Sequence, residues 1–383
     1  MTVRQVGVEE ELLLIDPETG RLAQVSHHAL TAHRAAVDAA DATPHRGDAL
    51  KRLGDIEHEL FLQQLETATE PCAKLSELAG EVRRCRRSAG DAARAAGAAA
   101  VAVGAPVLER GDSKITPDQR YHRIVDSYGE VGRQGDVCGM HVHVQVDDDD
   151  QRVGVLDRIR PWLPFLLAVS GNSPFWRGID TGYASWRSQV WGRWPTAGPA
   201  EPYGDLAGYD ATVEALLASG AALDRGMLYF DARLAASYPT IEIRIADVCT
   251  EVEDVVLIAA LGRGLVETAA REWSIGVAPA SWRTDLLRAA QWRAAQFGLS
   301  RGLIDPVSRE VAPARDVFGS LVDYTRDALD EAGDTEAVTD SFERLLAQGA
   351  GASRQRAVAE ATGDLQAVVT DLLRRTEASW LDG

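Results

Sequence analysis

Lysine is nearly missing from this chain of 383 residues: of 40 basic residues only Lys51, Lys74 and Lys114 are lysines. A Walker A loop needs G-x-x-x-x-G-K-[ST], and none of the three sits in that context, which excludes P-loop chemistry. Any phosphate site must rely on arginine. Cysteine is also sparse. Cys72, Cys85, Cys138 and Cys249 form no C-x-x-C pair, which suits a reduced protein rather than a disulfide framework or zinc ribbon. Long apolar runs are missing too: Ala92 to Leu108 is broken by Arg94, Gly97 and Gly104 and is too short to span a bilayer. The opening MTVRQVGVEEE carries no apolar h-region, so the expected location is the cytoplasm.

What is present is acid. A formal net charge of −18 gives a surface that repels phosphate backbones and anionic headgroups, which argues against nucleic acid and membrane as partners. Most of that charge is explained by a solvated surface; acids inside otherwise apolar strands are not. With 45% apolar and 26% charged residues the chain is ordinary globular material.

Strand character is expected over Gln5 to Ile15, Ile56 to Thr69, Ala98 to Val107, Val137 to Val146 and Pro239 to Val248. Helices are expected over Lys74 to Ala96, Ile159 to Ser170, Asp254 to Trp273, Ser281 to Phe297, Ala314 to Ala332, Thr335 to Ala347 and Gly363 to Glu377, so the C-terminal third reads as mostly α. Pro195 to Tyr209 is rich in Pro and Gly and reads as a long loop, either a lid or a plain connection. The polar-faced strands scatter from residue 6 to residue 248, which points to one sheet in one domain over residues 1–383.

Val6 to Ile15 is a strand by its branched residues, yet it carries three consecutive glutamates, where glutamate is depleted. A period of two puts Glu9 and Glu11 on one face and Glu10 on the other, beside Val8 and Leu12. Same-face carboxylates about 7 Å apart repel by roughly 2 kcal/mol at an effective dielectric near 20, so something cationic belongs between them. The pattern recurs twice. Cys138 to Val146 sets His141, His143 and Gln145 against Val142, Val144 and Val146; Pro239 to Asp247 sets Thr240, Glu242 and Arg244 against Ile241, Ile243 and Ile245. Such strands describe a sheet with helices on one side and a polar funnel on the other. Glu59 and Glu66 add acids in another mostly apolar stretch, where a spacing of seven fits either two helical turns or a bent strand.

Several carboxylates with an imidazole and no lysine form a hard, oxygen-rich site that favours Mg²⁺ or Mn²⁺ over zinc. A lone glutamate would be no more than an exposed strand face; acids on three or four separate strands are harder to dismiss. The H-x-H at 141 and 143 also opens the metal site of TIM-barrel hydrolases, but those need later histidines, and none of the eight follows His143. Arg177, Arg187 and Arg193 stand among aromatics in the run from Asn172 to Pro195, where guanidinium forks could meet phosphate or carboxylate oxygens, or simply stack on tryptophan. Arg244, beside Glu242, is the strongest candidate of the four.

VGVEEELLLIDPETG, CGMHVHV, NSPFWRG, TGYASWRSQVWGRWPTAGP, PTIEIRIADVC, WRAAQFGL and GASRQR, in that order, resemble the carboxylate-amine ligases of the glutamate-cysteine ligase type 2 family over nearly the whole chain. The resemblance implies an α+β, glutamine-synthetase-like catalytic fold with a curved, mainly antiparallel sheet, ATP and Mg²⁺ as co-substrates, and a homodimer. It implies Glu9, Glu11, Glu59, Glu66, His141 and Glu242 as metal-site positions and Arg244 as a ligand of phosphate or acyl phosphate. Glu242, Arg244 and Arg187 are the candidate catalytic residues, and Arg244, Arg187 and Arg193 the candidates for binding nucleotide. The activity implied is ATP-dependent activation of an amino-acid carboxylate, the γ-carboxylate of glutamate, and its transfer to an amine, nominally cysteine. No protein nucleophile is required, in keeping with the lack of a G-x-S-x-G elbow. The rivals are a phosphotransferase on the same scaffold and a non-catalytic ligand binder.

Overall fold

The computed structural model describes residues 3–41, 55–108 and 113–381. Its strands are Val6–Ile15 (β1), Asp55–His58 (β2), Gln64–Ala68 (β3), Ala99–Val101 (β4), Gly139–Gln145 (β5), the short hairpin Phe175–Trp176 (β6) and Ile179–Asp180 (β7), Ala232–Leu234 (β8), Thr240–Asp247 (β9) and a second short pair, Leu303–Ile304 (β10) and Val311–Ala312 (β11). Seven of them form one sheet in the order β2-β3-β1-β5-β9-β8, with β4 beside β1. One edge of β1 pairs with β3; the other is shared between β5 over the first half and β4 over the second. These pairings, and those of β2 with β3, β5 with β9 and β8 with β9, are all antiparallel. The expected antiparallel α+β architecture is therefore present.

Alternation decides the two faces. Val6, Val8, Met140, Val142, Val144, Ile241 and Ile243 are buried in one core with the helices Leu75–Ala95, Asp149–Ile159, Leu163–Ser170 and Val252–Ser274. Gly262 lets the last of these lie close: a Cβ there would stand 3.2 Å from Ile243 Cδ1. Ala314–Ala332 and Thr335–Gln348 pack on the outside of Val252–Ser274. On this packed face Glu10 is 2% exposed and paired with Arg86, which donates from Nη2 to Glu10 Oε1 at 2.6 Å and from Nε to Oε2 at 2.9 Å.

Several sequence expectations change in detail. Ile56 to Thr69 is two strands broken by a turn, and Ala98 to Val107 keeps only three ladder residues, because Ala102 N–H turns to Thr376 Oγ1 at 3.2 Å. Ile159 to Ser170 begins earlier, at Asp149, with the Asp148 side chain accepting from Gln151 N–H at 2.7 Å; Pro161 and Pro164 then divide it around a 3₁₀ turn. Pro195 to Tyr209 is not a loop to its end. Asp205 caps a helix, Leu206–Ser219, by accepting from Gly208 N–H at 2.8 Å, so Leu206 to Tyr209 is its first turn. Helices Ser26–Asp41, Gln119–Tyr128 and Gly351–Thr362 were not expected. Among the described residues no helix is long and apolar enough to cross a membrane.

Candidate active site

The open face of the sheet is built by cross-strand neighbours. Glu11 stands directly opposite Glu66, Glu9 opposite His141, His143 opposite Glu242, and Glu242 opposite Arg233. Five strands thus deliver one row of charged side chains. A bulge in the β5–β9 pairing between Met140 and Val142 sets the end of β9 against His141. Arg244 Nη1 comes to 3.4 Å from His141 Nδ1 and bonds Glu242 Oε1.

His141 is the hub. Its Nδ1 lies 3.1 Å from Glu9 Oε2, 3.7 Å from Glu66 Oε1 and 3.9 Å from Glu242 Oε1, and its Nε2 lies 3.7 Å from Glu11 Oε1. His143 Nε2 reaches Glu9 Oε1 at 3.3 Å. Burial and the Arg244 charge hold the His141 imidazole below its ordinary pKa, which keeps it neutral. Burial works against the Glu9 carboxylate, but hydrogen bonds from His141 and His143 hold its pKa well below the usual range. Glu242 behaves likewise: burial opposes its charge, and Arg244 and Arg233 overcome it, Arg233 Nε lying 2.7 Å from Oε2.

Glu59 and Glu66 do the opposite. Burial and the charge of Glu11 push Glu59 up to about 7, and burial with the charges of Glu59, Glu9 and Glu11 pushes Glu66 well up. The two share a hydrogen bond, so one carries the proton. Acids crowded until one must keep a proton form a site that a divalent cation would relieve. The donor set fits such an ion: one ligand atom each of Glu9, Glu66 and His141 lies within 4.8 Å of the others, and the same holds for Glu9, His143 and Glu242. Buried His141 Nε2 has no hydrogen-bond partner among the described residues.

All six expected metal positions therefore meet on one wall together with Arg244. Glu9, Glu11, Glu59, Glu66, His141 and Arg244 line a cavity of about 230 Å³, closed by Trp191, Trp194, Tyr229 and Tyr121. Glu242 borders the same cluster through Arg244 and Arg233. A second cavity, of about 270 Å³, shares Trp191, Tyr229 and Arg244 with the first and is lined by Arg187, Asp231, Arg288, Gln291 and Trp292.

Arg187 belongs to that second cavity. It is 2% exposed, packs over Gly139 where a Cβ would meet Nη2 at 2.1 Å, and donates to the carbonyls of Arg244 at 3.3 Å and Ile245 at 3.4 Å. Arg193 is not brought to the cluster: it is exposed, and Nη1 donates to Gln134 Oε1 at 3.0 Å. Arg177 sits on the β6–β7 hairpin over the ring of Trp176. Sequence reasoning missed Arg233, Asp231 and Tyr229; the alternation in Tyr229-Phe-Asp-Ala-Arg233 was the available signal, on a strand only three residues long.

The description "Glutamate-cysteine ligase family 2" matches residues 5–371 of this chain. "Putative glutamate--cysteine ligase 2-1" of Nocardioides sp. is 48% identical over 380 residues, covering 99% of this chain and 98% of its own length. "Putative glutamate--cysteine ligase 2" of Streptomyces coelicolor is 45% identical over 383 residues, covering 98% of this chain and all of its own. Among solved structures, the glutamate–cysteine ligase of Francisella tularensis in complex with AMP matches with a TM-score of 0.68 at 14% identity, over 100% of this chain and 90% of that one. At that identity the likeness is one of fold.

Proposed function

The chain belongs to glutamate-cysteine ligase family 2, and we propose that it is an ATP- and Mg²⁺-dependent ligase joining the γ-carboxylate of glutamate to an amine, nominally cysteine. The observation that carries this reading is the convergence of Glu9, Glu11, Glu59, Glu66, His141 and Glu242, with Arg244, on one concave wall. Glu9, Glu66, His141 and Glu242 would hold the divalent cations, with Glu11 and Glu59 beside them. Bound there, the cations would neutralise phosphoryl oxygens as charge gathers.

A carboxylate does not condense with an amine in water unaided. In the proposed reaction a carboxylate oxygen attacks the γ-phosphorus and ADP departs; the amine nitrogen then attacks the acyl carbon, loses a proton, and phosphate leaves. Arg244 stands where the two cavities meet, so its guanidinium can face the transferring phosphoryl group from the acidic side and the carboxylate being activated from the other. Burial and then Glu242 and Glu11 act on it in opposite directions, and the acids win, keeping it charged. Arg233 holds Glu242 from the far side. Trp191, Trp194 and Tyr229 wall the site against water, which protects an acyl phosphate from hydrolysis. Cys138 and Cys249 offer no nucleophile: both are buried, and burial pushes their thiols well up.

The test is phosphate release from ATP with Mg²⁺, L-glutamate and a panel of amines including cysteine. Release that requires an amine, with a γ-glutamyl amide seen by mass spectrometry, is the expected result. ADP release that needs glutamate but no amine would make the protein a phosphotransferase, and nucleotide binding without turnover would make it a binder.

A further inference from the structure

The second cavity is lined by charged groups that form no ion pair among the described residues. Arg187 is buried, and among the described residues no carboxylate lies within ion-pair distance of it; its fork reaches only two main-chain carbonyls at 3.3 and 3.4 Å, and Nε has no partner. Arg288, which also lines the cavity, is exposed and forms no ion pair among the described residues. Asp231 is the one acid of the lining, and its carboxylate receives a single hydrogen bond, from Gln291 Nε2 at 3.0 Å. Its main chain is fixed, the carbonyl accepting from Arg244 N–H at 2.8 Å and the N–H donating to Gly198 at 3.3 Å. Enclosed charges without partners are unfavourable, and they persist where a ligand completes them.

We propose that this cavity seats an α-amino acid, with Asp231 as the specificity residue that receives the α-ammonium while Arg187 and Arg288 receive the α-carboxylate. The inference rests on the ligase reading in one respect: the remaining wall is Arg244, so a second carboxylate on the ligand's side chain would extend to the junction with the acidic cavity. Two carboxylates and one ammonium are what three guanidiniums and one carboxylate complement. The seated molecule is thus the donor amino acid, a dicarboxylic one, rather than the acceptor.

The test compares L-glutamate with glutarate, which keeps both carboxylates and lacks the ammonium, in wild type and Asp231→Asn. Asparagine preserves the hydrogen bond to Gln291 through its oxygen. Wild type should favour glutamate, and the substitution should raise the KM for glutamate by about 10- to 100-fold, the range of a lost charged hydrogen bond. The KM values for ATP and glutarate should move less than about twofold. Equal loss with both donors, or a change confined to the KM for the acceptor amine, would overturn the assignment. If wild type shows no amine-dependent turnover, the ligase reading fails separately, and calorimetric titration of glutamate and glutarate into both proteins decides the matter. Discrimination lost in Asp231→Asn supports the inference; no binding, or discrimination that survives the change, overturns it.

Discussion

Glu9, Glu10 and Glu11 are adjacent in sequence, yet the two sides of their strand treat them in opposite ways. On the packed side, Glu10 meets Arg86 through two hydrogen bonds, and the remaining Arg86 donors reach the carbonyls of Cys249 and Thr250 at 2.6 Å each. Both charges of that pair are answered by the protein. On the open side, acids stand against acids: Glu11 faces Glu66, Glu66 shares a proton with Glu59, and buried His141 Nε2 has no hydrogen-bond partner among the described residues. A fold seeking stability alone would resolve the second face as it resolved the first. The crowding therefore marks the side that works on a ligand, at some expense in stability.

Arg86→Ala should break this contrast most severely, because it strands Glu10 in the core. A loss of about 3–5 kcal/mol is expected, read by denaturant unfolding, and a loss below about 1 kcal/mol would mean the packed face tolerates an unanswered charge. Glu9→Gln and Glu242→Gln should instead strike turnover, lowering kcat by about 100- to 1000-fold while unfolding midpoints move far less than in Arg86→Ala. Next in size is a dependence on pH. The Glu59 carboxyl is raised from 4.5 to about 7, so the native state keeps a proton that the unfolded chain releases. That contribution to stability is complete below about pH 4.5 and disappears as pH rises through about 7 in metal-free protein. Mg²⁺ competes with the same proton, so its stabilising effect should grow over that window, and Glu66→Gln should flatten both trends in thermal melts at pH 5 to 8. The smallest effect belongs to Arg193→Ala, whose side chain is turned outward to Gln134. Stability should stay within about 0.5 kcal/mol, and a large rise in the KM for ATP would place Arg193 at the nucleotide after all.

Where the chemistry follows a period of two, it was legible in the sequence. Glu9, Glu11, His141, Glu242 and Arg244 fall on the open face that alternation assigns them, and the bulge in β9 leaves Arg244 beside Glu242. Glu59 and Glu66 were harder to place, because the turn between β2 and β3 breaks the count of residues that alternation relies on. Glu10 could be assigned to the packed face, but not its partner: Arg86 lies 76 residues away on a helix, a distance no local pattern spans. The aromatic-rich run around Arg187 and Arg193 gave residue types without directions, and the structure sends one inward to the second cavity and the other outward. The helix at Leu206–Ser219 was hidden by the Pro- and Gly-rich stretch before it; only the cap at Asp205 announces it.

Diffraction from crystals grown with Mn²⁺ and an unreactive ATP analogue, collected where manganese scatters anomalously, would show whether the open-face acids exist to hold cations. Peaks within coordination distance of Glu9, Glu66, His141 and Glu242, next to the triphosphate, are the predicted outcome. Nucleotide bound with manganese elsewhere, and these side chains still answering only one another, would contradict it.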